Sequence, residues 1–403
     1  MKKVKYTLSV KLLRSKIGRW LIKLILKRDF KYINFKGIDE YNFVFKLKEK
    51  EVSLQKSPDY GQGGLVLIRE IPEVYLYKFN NCFMNIESSS IYGENGAFIE
   101  RFHGIDQKIA RYNSGHLKWH DSERALFEIH KGTLIDKKVL FLGGNGSFNY
   151  FHWLIEILPK LLLLNTDIIE KYSIEAIVVN QVVKEIPNYQ RVLTIVNAKL
   201  NLPIIYLDQK ISYRFKEVYY ITTFNNVLFN SIDNISKVEY GCFSPNILNS
   251  LKKLILNNDI AVARADSLKK FPKKIFLLRG GVSTFNKRNY NESEIAAFFE
   301  KKGFVGVRPE EYDFLEQVYL FSEASHIVGP SGAFWSNLIF CNENTKCISW
   351  LTELHKEFSV YSTIANIFKI DMKFLKANML SSDMHGSYHI DVEKIEDFYE
   401  KYI

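Results

Sequence analysis

The chain has 403 residues, longer than one hydrophobic core usually serves, and two domains are therefore the starting expectation. Its 47% hydrophobic and 25% charged residues exclude a largely disordered chain, and its 30 Phe and 23 Tyr suit wide, partly wet binding surfaces. The net charge of +10 excludes a basic groove spread over the fold: ten cations stand within residues 1–28 without one acid, and the 45 cations and 45 acids that follow cancel, so no nucleic-acid partner is expected.

Drawn as a helix, the basic N-terminal segment puts Val10, Leu13, Ile17, Trp20, Leu21 and Leu24 on one arc, with Lys16, Arg19, Lys23 and Lys27 on the next. That is the pattern of a segment lying in the interface of an anionic membrane; the alternative is a basic helix packed on its own domain. Lys23 breaks "WLIKLIL" too early for a signal peptide, and no apolar run reaches the ~18 residues of a transmembrane span. Cys82, Cys242, Cys341 and Cys347 form neither a CxxC pair nor a metal-ligand spacing. A reducing compartment is expected, with the protein cytoplasmic and peripheral on the cytoplasmic face of the membrane.

From about 35 to 142, short apolar runs such as "GGLVLIRE", "EVYLYKF" and "GAFIERF" read as antiparallel strands. After "KVLFLGG" the pattern becomes α/β: a helix at 151–164, "EAIVVN", a helix at 188–200, "PIIYL" and "EVYYITT". A helix at 245–257 leads into the polar stretch "NNDIAVARADSLKKFPKK", the expected hinge. A second α/β run follows: "KIFLLRG", a helix at 291–302, "FVGVRP", a helix at 312–323, "SHIVGPSG", a helix at 333–340 and "KCISWL". The expected division is a basic segment 1–28, a first lobe 29–257 that is strand-rich to about 142, and a second lobe 258–403.

The turn "GGNGSFN" opens the 151–164 helix, and Asn149 suits its N-cap. His152 and Glu156 are four residues apart on one helical face. A neutral imidazole there can take a proton from a hydroxyl nucleophile while Glu156 holds its other nitrogen. A core histidine satisfied by a backbone group, with Glu156 exposed, is equally consistent with the residues. Pro159 is expected to bend the segment.

In the second run, Ser331, Gly332 and Ala333 form a strand-to-helix turn whose exposed N–H groups suit a diphosphate, although an ordinary corner has the same sequence. Arg279 closes the first strand of the run, Arg288 follows, and in a parallel sheet Arg279 and the Ser331 turn converge on one crevice. Asn291 and Glu294 are expected to form a capping box, and Glu316 could reach a ribose or base. No acidic pair of the DxD type stands at a strand end, so neither a metal nor another cofactor is expected.

Taken in order, "NYFHWLIEILPKLLLL", "LLRGG…KRNYNE" and "FLEQVYLFSEASHIVGPSGAFWSNLIF" resemble glycosyltransferase family sixty-one, which includes capsular polysaccharide biosynthesis enzymes. The resemblance covers roughly residues 140–350. It implies a GT-B arrangement of two Rossmann-like lobes, an acceptor-side lobe 29–257 and a nucleotide-sugar-binding lobe 258–403, and inverting, metal-independent transfer from a nucleotide sugar to a polysaccharide or lipid-linked glycan. Family members often carry "HGA" where this chain has Ser331 in "PSGA", which puts a hydroxyl where a charge would stand. A non-catalytic sugar-binding or scaffold subunit of a polysaccharide assembly complex is the alternative that this difference keeps open.

Overall fold

The computed structural model describes residues 12–36, 43–94, 96–100, 114–121, 123–130, 132–227, 238, 241–258, 271–279, 289–380 and 386–402. The first residues of the basic segment, the centre of the expected hinge and Arg288 lie outside them. The fold is mixed α/β. Its contacts divide it into two units, one of Met1–Lys50, Pro72–Phe224 and Leu228–Asp233, the other of Glu51–Ile71, Asn225–Val227 and Asn234–Ile403.

The first unit is built on one sheet of eleven strands among the described residues. Ile204–Leu207, Ala176–Asn180, Thr133–Leu142 and Tyr213–Ile221 lie side by side and parallel. "AIVVN" is buried throughout, as a strand covered on both faces requires. On its other edge Tyr213–Ile221 pairs antiparallel with Val74–Met84. Most of the antiparallel strands expected before residue 142 and the α/β layer expected after it are therefore one sheet, while "GGLVLIRE" lies outside it in the hairpin of Glu51–Lys56 with Val66–Ile71. Its core joins Tyr77, Phe79, Phe98, Phe141, Val178, Phe215 and Tyr220. Strand order fixes a special point: the chain steps from 133–142 outward to 176–180 and 204–207, then returns to the opposite side of 133–142 with 213–221. The order reverses between Thr133–Leu142 and Tyr213–Ile221, and ligands of open α/β sheets bind at the carboxyl ends of the strands at such a point.

Two departures in this unit have clear local causes. The segment expected as a plain helix at 151–164 is a π-helical turn, His152–Ile157, followed by a 3-10 helix, Leu158–Leu163. Pro159 stands in the first turn of the 3-10 helix and has no N–H to continue the wider ladder. Near the N-terminus, helix Lys16–Leu26 is capped by Ser15, whose hydroxyl accepts the Gly18 N–H at 2.8 Å. Arginines face the sheet: Arg19 stacks over Tyr32 at 5.0 Å and Arg14 over Trp119 at 4.4 Å, while Ile17, Trp20, Leu24 and Ile25 are exposed.

The second unit has a sheet in the order Val305–Val307, Lys274–Leu277, His326–Pro330, Lys346–Thr352, Asp371–Met379, all parallel, with Tyr388–His389 antiparallel at the edge. Its core centres on Phe276, Phe299, Val328, Ile348 and Trp350. The strand order reverses between Lys274–Leu277 and His326–Pro330. Gly329 permits that pairing, since a Cβ there would lie 2.6 Å from the Leu277 Cβ.

The contacts divide the chain near 225–234 and not at 258. Helix Pro245–Leu256 buries Leu248, Leu251 and Ile255, and Lys252 donates to the Cys341 carbonyl at 2.6 Å, which ties the helix to the second unit. The hairpin Glu51–Lys56 and Val66–Ile71 belongs there too, with the Lys56 N–H on Thr363 Oγ1 at 3.0 Å. The capping box expected at Asn291–Glu294 stands instead at Asp313–Glu316. Asn291 is occupied with Ile390, donating to its carbonyl and accepting its N–H. Residues 333–340 form a 3-10 helix, and none of the helices among the described residues is long and apolar enough to cross a membrane.

Candidate functional site

In the first unit the turn 143–149 leaves the carboxyl end of strand Thr133–Leu142, next to the strand-order reversal. The Asn149 side chain accepts the Phe151 N–H at 2.9 Å and its carbonyl accepts the Trp153 N–H, so the expected cap forms. His152 and Glu156 meet, Nδ1 to Oε2 at 2.7 Å, with only 8% and 7% of their surfaces exposed. A core histidine with an exposed Glu156 is thereby excluded. Gly146, at φ +83°, packs against the imidazole: a Cβ there would stand 2.5 Å from Cδ2. Nδ1 is thus the ring nitrogen that Glu156 engages.

Sequence reasoning passed over the rest of this cluster. Lys160 is buried, and its ammonium donates to the Ile221 carbonyl at 2.9 Å, joining the helix after one strand to the end of the other strand flanking the reversal. Burial lowers its pKa, against the opposing fields of Glu100 and Glu156. Glu100 accepts hydroxyls from Tyr220 and Thr223 and the Thr223 N–H. The available signal was a lone cation within "ILPKLLLL", since lysine is almost never buried without partners.

In the second unit Arg279 and the Ser331 turn do converge. Arg279 Nη2 donates to the Ser331 carbonyl at 3.0 Å, spanning the two strands between which the order reverses. The Arg279 backbone N–H is held by Glu292 at 2.7 Å, and the Tyr290 hydroxyl donates to the same carboxylate oxygen. Gly332 is extended, and Ala333 begins the 3-10 helix, where Trp335 Nε1 donates to the Pro330 carbonyl at 2.8 Å. Glu316 is engaged elsewhere: its carboxylate accepts the Asp313 N–H in the capping box. Its neighbour Gln317 is the buried one, donating to the Pro309 carbonyl and accepting from Asn337. Among the described residues no three His, Cys, Asp or Glu side chains are grouped to hold a metal ion.

Each unit thus places a polar constellation at the carboxyl end of its parallel strands, where strand order reverses. No curated protein matches the sequence. Residues 150–348, which hold His152, Glu156, Lys160, Arg279 and Ser331, match the family model described as Glycosyltransferase 61. The chain belongs to glycosyltransferase family 61, and is a glycosyltransferase that works between a sugar donor and a glycan acceptor.

Proposed function

We propose that the chain is an inverting, metal-independent glycosyltransferase of GT-B type that moves a sugar from a nucleotide-sugar donor to a growing polysaccharide or lipid-linked glycan of a capsule or other surface polymer. The acceptor hydroxyl attacks the anomeric carbon in line, its oxygen forming the new bond as the bond to the diphosphate breaks. His152 Nε2 takes the hydroxyl proton, and the nucleoside diphosphate leaves with the electron pair. Arg279, Arg288 and the backbone of Ser331, Gly332 and Ala333 hold that leaving group, supplying fixed positive charge in the role a metal fills elsewhere. Glu316 stays with its helix cap. Residues 1–28 hold the enzyme to the anionic cytoplasmic face of a membrane, where a lipid-linked acceptor lies.

The supporting observation is the Arg279 to Ser331 hydrogen bond of 3.0 Å across the strand-order reversal, which puts a guanidinium beside a turn at the carboxyl ends of parallel strands. The test is a thermal-shift panel of UDP-, GDP- and dTDP-sugars in EDTA. At least one nucleotide sugar should raise the melting temperature, and Arg279→Ala should remove most of the rise, each charge-assisted phosphate bond contributing ~1.5–3 kcal/mol. An equal rise in the mutant would put the donor elsewhere, and a rise only with divalent metal would overturn metal independence.

A further inference from the structure

The hairpin of Glu51–Lys56 with Val66–Ile71 has two faces of opposite character. Alternation along the strands puts Ser53, Gln55 and Ile71 on the inner face, where all three are buried. That side is tied down. Gln55 Nε2 donates to the Gly241 carbonyl, and the Lys56 backbone is held by helix Val360–Ile367, its carbonyl accepting the Ser362 hydroxyl at 2.6 Å. Buried Asp59 fixes the loop beyond by accepting the Gly61 and Gly63 N–H groups at 2.8 and 3.0 Å. On the outer face Val52 stands opposite Glu70, Leu54 opposite Ile68 and Lys56 opposite Val66. All four apolar side chains there are exposed, Ile68 by 74%. A rigid, contiguous apolar face of this kind marks an interaction site, unlike apolar residues scattered singly over a surface.

We propose that two copies of the chain pair through this face, as an isologous dimer with the hairpins packed face to face. The patch is complementary to itself. Its two charges stand at diagonal corners, Lys56 on one strand and Glu70 on the other, with Leu54 and Ile68 between them. A twofold axis in the interface, at right angles to that diagonal, sets Lys56 of each copy against Glu70 of the other and gathers Leu54 and Ile68 of both at the centre. With ordinary strand rise and spacing the two hairpins then cross at roughly 40°, close to the ~30° at which sheets pack aligned. A carboxylate accepts from several donors, so this pairing adds to the contacts that Glu70 makes within its own chain. An anionic lipid surface fits the patch poorly, because an acid balances its cation.

Sedimentation velocity of the full chain over a range of concentrations tests the proposal. The wild type should exchange between monomer and dimer. Ile68→Glu, and Ile68→Thr as a milder variant, should weaken the dimer roughly tenfold or more while keeping the wild-type circular dichroism, since the side chain is buried only in the dimer. Lys56→Glu and Glu70→Lys should each weaken it by placing like charges together, and the double exchange should restore it. A wild type that stays monomeric overturns the proposal, as does dimerisation undiminished in the folded Ile68 variants, which would assign association to another surface. A double exchange no tighter than the single ones overturns the crossed pairing of Lys56 with Glu70. Loss of sedimentation with phosphatidylglycerol vesicles in Ile68→Glu would give the face to lipid and overturn the proposal too.

Discussion

At Gly146 the positive φ and the imidazole behind it demand the same residue. Gly146→Ala meets both a strained backbone and the His152 ring at 2.5 Å from the new Cβ. Displacing the ring from Glu156 by that crowding should slow transfer by ~10²-fold, since errors of about 1 Å in a reacting group have effects of that size. Initial transfer rates beside the nucleotide-sugar thermal shift check this: the rate should fall while the shift persists, and an unchanged rate would mean that the ring tolerates the crowding. The His152–Glu156 spacing and the glycine turn are legible in sequence because both are local. Lys160 is not, because its partners Ile221, Thr223 and Glu100 lie some sixty residues away along the chain in either direction, and only the sheet brings them together. Arg279 and Ser331 could be paired from sequence because each closes a strand, and adjacent parallel strands end side by side. From sequence Glu316 could equally face a ligand or solvent; in the structure its carboxylate closes the cap of its own helix with Asp313, three residues earlier.

Among the elements, helix Lys16–Leu26 shows what periodicity leaves open. The sequence separates an apolar arc from a basic one but does not say which faces the protein. Arg14 and Arg19 find aromatic partners on Trp119 and Tyr32, and the apolar arc faces out. Attachment to a membrane through this helix should therefore depend on apolar insertion as well as charge. In sedimentation with vesicles containing phosphatidylglycerol, the full chain should bind and the Trp20→Glu/Leu24→Glu variant should not; equal binding by the two would remove the helix from any membrane role. A different element-level dependence comes from His116, buried between Ser90 and Ser212 at 3.0 Å each and joining strand Ser90–Gly93 to the entry of Tyr213–Ile221. Burial pushes its pKa from 6.5 down to about 3. The unfolded chain binds this proton first, so the stability contribution is complete above pH 6.5 and is lost as pH falls toward 3, by up to about 1.4 kcal/mol per unit. Denaturant midpoints between pH 7 and 4 should show the decline, and His116→Gln should flatten it. A wild-type midpoint that stays level over that range would contradict it.

At the scale of the whole molecule, two sheets were legible as alternating strand and helix signals, including the order of the second sheet's first four strands along the chain. The division between units was not. A polar, weakly periodic stretch such as 257–274 looks like a hinge, yet the contacts of helix Pro245–Leu256 and hairpin Glu51–Ile71 lie with the second unit, through pairings such as Lys252 with Cys341 and Lys56 with Thr363. Those pairings join residues distant in sequence and leave no local trace. The proposed mechanism is a separation of labour: the first unit activates the acceptor through His152, and the second holds the donor. His152→Ala tests it most directly, with transfer rate and nucleotide-sugar thermal shift measured on the same preparation. Transfer should fall by ~10²–10⁴-fold while the donor-induced shift is retained, the scale of loss for a general base. Transfer near the wild-type rate at matched stability would contradict the claim, leaving His152 as packing and the base elsewhere.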